Sequence, residues 1–418
     1  MIDPGADAPR GRRRRRLLVL VVALALLAVS AGWLLQPQRS VPVLLGRIGG
    51  SLDLDITAGN ADARLRGTPQ LVVRDLVVRV PGSDIVMLRA DRALLSLPWS
   101  TLRGRGADLT VQRVELDAPV LNVPALQAWL AKRPPSAETR IPTLTDGLRI
   151  VDGRIDNDDW RIDRIAVDLP SLHPDQPANA HLRGRYLDAP TAIPFDLAVA
   201  ITKPANDAGI AAAGRVTIER GDWRLPSTLR LSGPLHLGND SVAMVPATLG
   251  IAARYESGDT RLPFTLGLAG PLRFDDATWV LAPAGVALRG EGPLPSFDAH
   301  GALALGRRLA LDLDGALPRW PEAWPTLPPP VSVSTSPLPF TLRYTGKPDL
   351  SDVAALSLHR DATAFDARFR LYDVLDWTQR PGGAPLPPLE GRLTSPKLVI
   401  SGATLEGVEV ELDDETVP

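Results

Sequence analysis

The chain has 418 residues, of which 44% are hydrophobic, 22% are charged and none is cysteine, so a Cys nucleophile is excluded. Its formal charge of −2 conceals an asymmetry, because residues 1–38 hold six arginines and two aspartates while the remainder carries 40 basic against 46 acidic residues. The acidic remainder argues against nucleic acid as a partner and against simple electrostatic adhesion to anionic lipid.

The first predicted element is a membrane-spanning helix. Residues 17–35 are 19 consecutive uncharged residues, and a helix of that length covers about 28 Å, close to the hydrocarbon thickness of a bilayer. Trp33 lies near the far end, where an interfacial aromatic side chain is expected. The positive-inside rule places the N-terminus in the cytoplasm and the rest of the chain across the membrane. The topology signal is the run Arg12, Arg13, Arg14, Arg15 and Arg16.

A cleaved signal peptide is the alternative interpretation of this stretch. Val29-Ser30-Ala31 is a tolerable small-residue cleavage site, although the apolar run continues beyond it. Both interpretations export the residues that follow. About 380 residues remain, which is more than one compact core usually holds, so we expect two sub-domains or one elongated element.

The exported part is predicted to be β-structure nearly throughout. Apolar residues alternate with polar or small ones at period two, which puts the apolar side chains on one face of each strand. Gly, Pro, Asn and Asp interrupt the pattern at hairpin intervals, and about 18–22 short strands are expected. The clearest stretches are LDLDI from Leu52, PFDLAVAI from Pro194, GRVTIE from Gly214, STLRLSG from Ser227, ALDLDGAL from Ala310 and FTLRYTG from Phe340.

Helical segments after the anchor are few. VPALQAWLAKRPP, residues 123–135, predicts a helix that ends at two prolines. Short helices or single turns are expected after Pro98 and in LYDVLDWTQR, residues 371–380. Residues 318–339 hold eight prolines, which exclude a ladder strand over much of the segment and predict a linker between sub-domains.

A degenerate eight-residue pattern occurs three times. VRDLVVRV from Val73, IDRIAVDL from Ile162 and LEGVEVEL from Leu405 each begin with an apolar residue and two polar or small residues. Apolar residues then follow at every second position, so each copy predicts the second strand of a hairpin with one apolar face. The spacing between the copies is irregular, which is not typical of a solenoid.

These units behind an N-terminal anchor resemble the AsmA family of Gram-negative envelope proteins. Residues 59–123 are similar to the family's opening module, a run of strands broken by a short turn, here ALLSLPW. The C-terminal GRLTSPKLVISGATLEGVEVEL is similar to the family's closing hairpin. The resemblance implies an inner-membrane protein with a periplasmic β-rich groove related to chorein-type lipid bridges, tied to phospholipid movement and outer-membrane assembly.

Pattern and resemblance together give the expected organisation. We expect a mainly β fold, in which an N-terminal transmembrane helix precedes an elongated, twisted, largely antiparallel β-sheet groove with a few short helices. The expected location is the cell inner membrane, single-pass, with the N-terminus cytoplasmic and the bulk of the chain periplasmic. The regions are a cytoplasmic basic tail at 1–16, the transmembrane helix at 17–35, an AsmA-like N-terminal module at 36–135, a β-rich middle region at 136–317, the proline-rich linker at 318–339 and a C-terminal AsmA-like β region at 340–418.

The one-sided alternation also supplies candidates for a wall that contacts acyl chains. Moving an acyl chain through water exposes its methylenes at about 0.8 kcal/mol each, and a continuous apolar wall would remove that barrier. The same residues would equally form an ordinary sandwich core, and alternation alone does not separate the two interpretations. The lipid-groove candidates are Leu197, Val199, Ile201, Phe264, Leu266, Leu268, Leu309, Leu311, Leu313, Phe340, Leu342, Tyr344, Val408, Val410 and Leu412.

The sequence holds no recognisable catalytic or metal-binding motif. Its five histidines are far apart, and neither a P-loop nor G-x-S-x-G occurs. DGRIDNDDW, residues 152–160, lacks the order of an EF-hand loop and predicts a polar hairpin turn. LRGRG, residues 102–106, is interpreted as a solvated turn rather than a phosphate site. We therefore expect no enzyme, no cofactor and no metal.

Two functions remain as expectations. The first is an inner-membrane-anchored periplasmic protein that binds or conducts phospholipid along an apolar β groove in outer-membrane biogenesis. The alternative is a non-enzymatic periplasmic scaffold or assembly factor for outer-membrane or secretion proteins, which would bind protein edges by strand addition. The expected partners are phospholipid, the inner membrane through one helix and, in the alternative, an outer-membrane or periplasmic protein; nucleic acid is not expected.

Overall fold

The computed structural model describes residues 53–64, 66–82, 84–103, 110–132, 141–204, 207–238, 241–324, 332, 336–379, 388–400 and 403–413. The predicted transmembrane helix at residues 17–35 and the arginine run before it lie outside these residues. Among the residues described, no helix combines the length and apolar character that a membrane crossing requires. The described part is mainly β with few helices, as predicted, and it divides into two compact units, Met1–Ala166 and Val167–Pro418.

The first unit contains a small mixed sheet and a separate two-stranded ladder. Its elements are β1 (Asp55–Thr57), β2 (Asn60–Arg64), β3 (Gln70–Arg79), β4 (Val86–Ser96), α1 (Trp99–Arg103), β5 (Thr110–Val111), β6 (Arg113–Asp117), β7 (Val120–Asn122), α2 (Val123–Ala131), β8 (Thr143–Leu144), β9 (Leu148–Asp156) and β10 (Arg161–Leu169), which contains the unit boundary. Strands β1 and β2 both pair antiparallel with β3, which pairs with β4. Strands β6 and β7 pair antiparallel with β4 and parallel with β9, while β5 and β8 pair with each other in parallel.

Helix α2 covers part of this sheet. Asn122 caps it, since its side-chain oxygen accepts a hydrogen bond from the Ala125 amide at 2.9 Å, and a proline occupies the first turn, where no amide partner is needed. Ala125 is buried, and Trp129 of the same helix packs with it against Met87 and neighbouring strand residues. The capped apolar helix thus closes one core of the first unit.

The described residues of the second unit form a single antiparallel meander of fourteen strands. Its elements are β11 (Ala178–Asp188), β12 (Thr191–Ile201), β13 (Ala208–Arg220), β14 (Trp223–Leu237), β15 (Val242–Ser257), β16 (Thr260–Asp275), β17 (Thr278–Gly290), β18 (Phe297–Leu305), β19 (Leu309–Leu317), β20 (Leu338–Gly346), β21 (Val353–Arg360), β22 (Thr363–Arg370), α3 (Leu371–Gln379), β23 (Glu390–Ile400) and β24 (Ala403–Leu412). Each strand from β11 to β24 pairs with the next one along the chain.

Several strands are longer than the sequence predicts. The expectation was 18–22 short strands, whereas the described residues form 24, and β15 and β16 have 16 residues each. Proline in a sequence usually predicts the end of a strand. Four prolines nevertheless lie inside strands, at positions where the register between neighbouring strands shifts. Because a bulge leaves one residue out of the ladder, a proline without an N–H is tolerated there. These residues are Pro234, Pro246, Pro271 and Pro283.

The three copies of the eight-residue pattern share a backbone feature. The third residue of each copy has a left-handed conformation, with φ of 52° at Asp75, 53° at Arg164 and 63° at Gly407. The registers of β3–β4 and β23–β24 continue past this residue without a shift, so it interrupts the alternation of side chains without inserting an extra residue. In the first copy Val73 and Leu76, on either side of the left-handed residue, pack in the same cluster.

The three predicted helical segments are confirmed as α1, α2 and α3. The predicted linker at residues 318–339 lies within the second unit. Strands β19 and β20 on its two sides pair directly, from Leu309 opposite Gly346 to Leu317 opposite Leu338. Trp320 and Trp324 of this segment pack edge to face, with ring centroids 4.8 Å apart, and cover the end of the sheet. The described part of the segment is thus a cover over neighbouring strands.

Candidate functional site

The strand registers place all fifteen lipid-groove candidates on one face of the second unit's sheet. Residues two apart along a strand share a face, and residues paired across strands share it too. Leu197 pairs with Gly214, and the same ladder continues through Leu229, Ile251 and Leu266. We call the side of β11–β24 that carries these residues the apolar face, and the opposite side the polar face. Whether the candidates contact lipid stays a prediction.

The apolar face is almost free of charge. Following the registers from β12 to β20, Arg220 is the one charged side chain that the described strands place on it. Arg220 is the last residue of β13, so it lies at the rim of this surface. A lone charge beside an extended apolar surface is unusual, because charged groups avoid sites where water is displaced.

An ion pair shows that this sheet curls around its apolar face. The Arg220 guanidinium lies 2.9 Å from the carboxylate of Asp349, which follows β20. A flat sheet would hold β13 and β20 about 34 Å apart, over seven steps of about 4.8 Å. Strand twist of about 20–25° per step accumulates to roughly 140–175° over the same strands and turns opposite strand ends to the same side. Twist alone leaves the strands this far apart, so the contact also requires the sheet to bend. The apolar face is therefore concave between β13 and β20.

Glycines mark the places where the strands bend. On the apolar face, a Cβ at Gly214, Gly270 or Gly301 would overlap a carbonyl oxygen of the neighbouring strand. Their φ angles, 157°, 152° and 154°, are also ones that other residues rarely adopt. On the polar face, a Cβ at Gly250 would have open space and one at Gly267 would meet nothing nearer than 3.8 Å. The strands thus approach each other most closely on the concave side, where only glycine fits.

The apolar face is only partly covered. Of the fifteen candidates, Leu313, Phe340 and Tyr344 are buried, and the other twelve are half-buried. Two buried clusters lie on β16–β22. One contains Leu313 and the other contains Phe340, and the half-buried Leu342 packs against both. The buried clusters of the described residues do not include Leu197, Val199 or Ile201. The strands before β16 therefore present an apolar surface that the described residues leave partly open.

Aromatic side chains lie near Arg220 at the rim. The rings of Trp223 and Tyr255 are 5.9 Å apart, on the two strands that follow Arg220. Burial raises the pKa of Tyr372 in α3, and the nearby charges of Tyr255, Asp349 and Arg220 also act on it. The start of α3 thus lies close to the ion pair. Tyr side chains suit such a boundary because an apolar ring carries a polar tip.

Tyr344, the third buried member of the candidate set, is anchored close by. Its hydroxyl donates a hydrogen bond to the Lys347 carbonyl at 2.6 Å and accepts one from the Asp352 amide at 3.4 Å. Burial is the main cause that raises the pKa of Tyr344. The turn that carries Asp349 is therefore fixed to the end of β20 by a buried side chain.

The polar face is occupied by ion pairs. Glu256 lies between Arg224 and Arg254, whose Nε atoms donate to it at 2.5 and 2.7 Å, and the hydrogen bond from Arg224 is the main cause that lowers its pKa. Asp196 accepts from His181 at 2.5 Å, and this bond is the main cause that lowers its pKa. A shallow depression of about 590 Å³ on β13–β17 is lined by arginines of this face and by small residues. The arginines around Glu256 are exposed, whereas the Glu256 carboxylate between them is buried.

The described residues hold no group of three or more His, Cys, Asp or Glu side chains that could bind a metal ion. The predicted hairpin turn at residues 152–160 is present, since β9 ends at Asp156 and the Asn157 amide donates to the Trp160 carbonyl at 2.9 Å. Of the LRGRG stretch, residues 104–106 lie outside the described residues. That the protein is no enzyme stays a prediction.

Sequence reasoning missed Arg220, Asp349 and Tyr372. Arg220 was visible as a charged residue that ends the alternation GRVTIER, at a position where the pattern requires an apolar side chain. No sequence signal connects it to Asp349, because their contact depends on the curl of seven strand pairings. The chain matches no family model, no curated protein and no solved structure, so the resemblance to the AsmA family is carried by the sequence pattern alone.

Proposed function

We propose that the chain is a membrane-anchored envelope protein that holds the acyl chains of phospholipid on its apolar face. The observation that carries the proposal is the concave and partly covered surface of β12–β20, which is free of charge except for Arg220 at its rim. A closed sandwich would cover this surface with a second sheet, but the described strands β11–β24 form one meander and leave most candidates half-buried. A partly open apolar surface of this kind fits a ligand that is itself apolar.

The energetics favour an acyl ligand. A chain of about 16 carbons loses roughly 13 kcal/mol of unfavourable hydration when it leaves water, at about 0.8 kcal/mol per methylene. The apolar face offers such a chain contacts across successive strands without a charged group in its path. The polar head group would stay at the rim, in water, so binding does not require a closed pocket.

Conduction between membranes extends the same proposal. Successive strands repeat the apolar surface at steps of about 4.8 Å, so an acyl chain that moves across the strands meets similar contacts at each step. A surface without deep specific pockets permits such movement, because no single position binds much more strongly than the next. Inner-membrane anchoring and a part in outer-membrane biogenesis are the cellular setting that the AsmA resemblance implies.

Site-specific photo-crosslinking tests the proposal. A benzoylphenylalanine at Leu197 or Ile201 on the apolar face should capture phospholipid in cells, and one at Asp196 on the polar face should not. Leu197 and Asp196 are adjacent in β12, so they share the same strand and the same depth in the sheet. Equal capture at all three positions would show non-specific membrane contact. Capture of protein at the first two positions would instead favour the scaffold alternative.

A further inference from the structure

Arg220 combines three properties that its neighbours lack. It is charged and lies on the apolar face, and its side chain is 34% exposed at the rim of the concave surface. Ile218 lies two residues inward on the same face, and Trp223 lies opposite Arg220 at the start of the next strand. An arginine at the boundary between an apolar surface and water is suited to a ligand with an apolar body and an anionic end.

The partner of Arg220 does not depend on it. Asp349 also accepts a hydrogen bond from the Ser351 amide at 3.1 Å. Hydrogen bonding to Ser351 is the main cause that lowers the pKa of Asp349, ahead of the charge of Arg220. The carboxylate therefore keeps a partner when the guanidinium moves away. Arg220 presents five N–H donors in a planar fork, and its Nη2 atom lies 2.9 Å from a carboxylate oxygen of Asp349.

We propose that Arg220 binds the phosphate of a phospholipid whose acyl chains lie on the apolar face. The inference rests on the proposed function and adds the position and chemistry of a head-group subsite. The guanidinium exchanges Asp349 for the phosphate, to which it donates two parallel hydrogen bonds. Tyr255 and Tyr372 lie near the same rim, with hydroxyl groups that suit an anionic oxygen.

The same ion pair has a purely structural interpretation, in which it only holds β13 against the turn after β20. The two interpretations differ for Asp349. If the pair is only a clasp, Asp349→Asn and Arg220→Gln break it equally and have the same effect. If Arg220 binds phosphate, Asp349→Asn removes a competitor and leaves the phosphate ligand in place.

The test compares two lipids that differ only by a phosphate. The full chain in detergent micelles is given trace amounts of photoactivatable phosphatidic acid or photoactivatable diacylglycerol with identical acyl chains, and covalent capture is measured by mass spectrometry. Wild type should capture phosphatidic acid more strongly. Arg220→Gln should reduce phosphatidic acid capture about tenfold and leave diacylglycerol capture unchanged. Asp349→Asn should leave phosphatidic acid capture unchanged or increase it.

Arg343→Gln is the matched control, because Arg343 lies on the polar face of β20 and pairs there with Asp312 at 3.2 Å. Arg343→Gln should leave the capture of both phosphatidic acid and diacylglycerol unchanged. Equal loss of both lipids in Arg220→Gln and Asp349→Asn would overturn the inference in favour of a clasp. Abolition of phosphatidic acid capture by excess inorganic phosphate would overturn the lipid assignment in favour of a free-anion site. If wild type captures neither lipid, the proposed function itself fails; if it captures both and Arg220→Gln changes nothing, only the head-group subsite fails.

Discussion

Substituting Gly301 tests whether the close approach of strands on the apolar face shapes the sheet. Gly301 lies in the middle of β18 with φ of 154°, a conformation that costs another residue about 1–3 kcal/mol. Its Cβ in Gly301→Ala would overlap the carbonyl oxygen of Asp312, a backbone atom that moves only with its strand. Forcing such a shift costs about 1–3 kcal/mol more. We therefore expect a loss of about 2–6 kcal/mol in the free energy of unfolding.

Gly250→Ala is the matched control, because Gly250 is also in mid-strand but its Cβ would meet nothing within 4 Å on the polar face. Replacing a strand glycine where there is space stabilises by about 0.5–1 kcal/mol. For a unit of this size each kcal/mol shifts the melting temperature by about 2–4 °C. Thermal unfolding followed by circular dichroism should show a fall of roughly 4–24 °C for Gly301→Ala and little change or a rise for Gly250→Ala. Equal melting temperatures for the two variants would refute the reasoning.

Two further predictions address the apolar face and the polar face. Leu313→Ala should cost about 2–5 kcal/mol in the free energy of unfolding because Leu313 is 4% exposed within a buried cluster, whereas Leu197→Ala should cost well under half of that, since Leu197 is only half-buried. Urea unfolding of both variants checks this, and similar costs would mean that the two ends of the face are equally packed. On the polar face, the bond from His181 lowers the pKa of Asp196 below its unfolded value, so the carboxylate stabilises the fold above the ordinary carboxyl range and this contribution disappears as the pH falls through the folded pKa. The melting temperature of Asp196→Asn should accordingly lie below that of wild type at neutral pH and converge with it in acid; a constant difference at all pH values would contradict the assignment.

Period-two alternation was sufficient to predict the β fold and the side chains that share a face, because side-chain direction in a strand depends only on sequence spacing. It was not sufficient to predict strand length. From the sequence, Pro234 and Pro271 indicate breaks, and only the register of the strands shows that they lie opposite bulges in the neighbouring strands. The sequence shows that a proline cannot donate a ladder hydrogen bond. Whether a hydrogen bond is needed at that position depends on the register of the neighbouring strand.

The curl of the sheet could not be predicted from the sequence either. The contact between Arg220 and Asp349 results from twist and bending accumulated over seven pairings, and no single pairing carries a signal for it. The lipid-groove candidates chosen from the sequence were accordingly residues in stretches with a clear period-two alternation. The charged residue at the rim, which breaks that pattern, became a candidate only when the strands were placed in register.

The strictly sequential pairing of β11–β24 has a consequence for how this unit forms. Each ladder joins segments that are neighbours along the chain, so loop closure is inexpensive and a hairpin can fold as soon as its two strands are available. Folding can therefore proceed by addition, one strand at a time, from whichever hairpin nucleates first. A sheet built in this way can also gain or lose a hairpin without changing the register of the others, so its length is free to vary while its cross-section is kept.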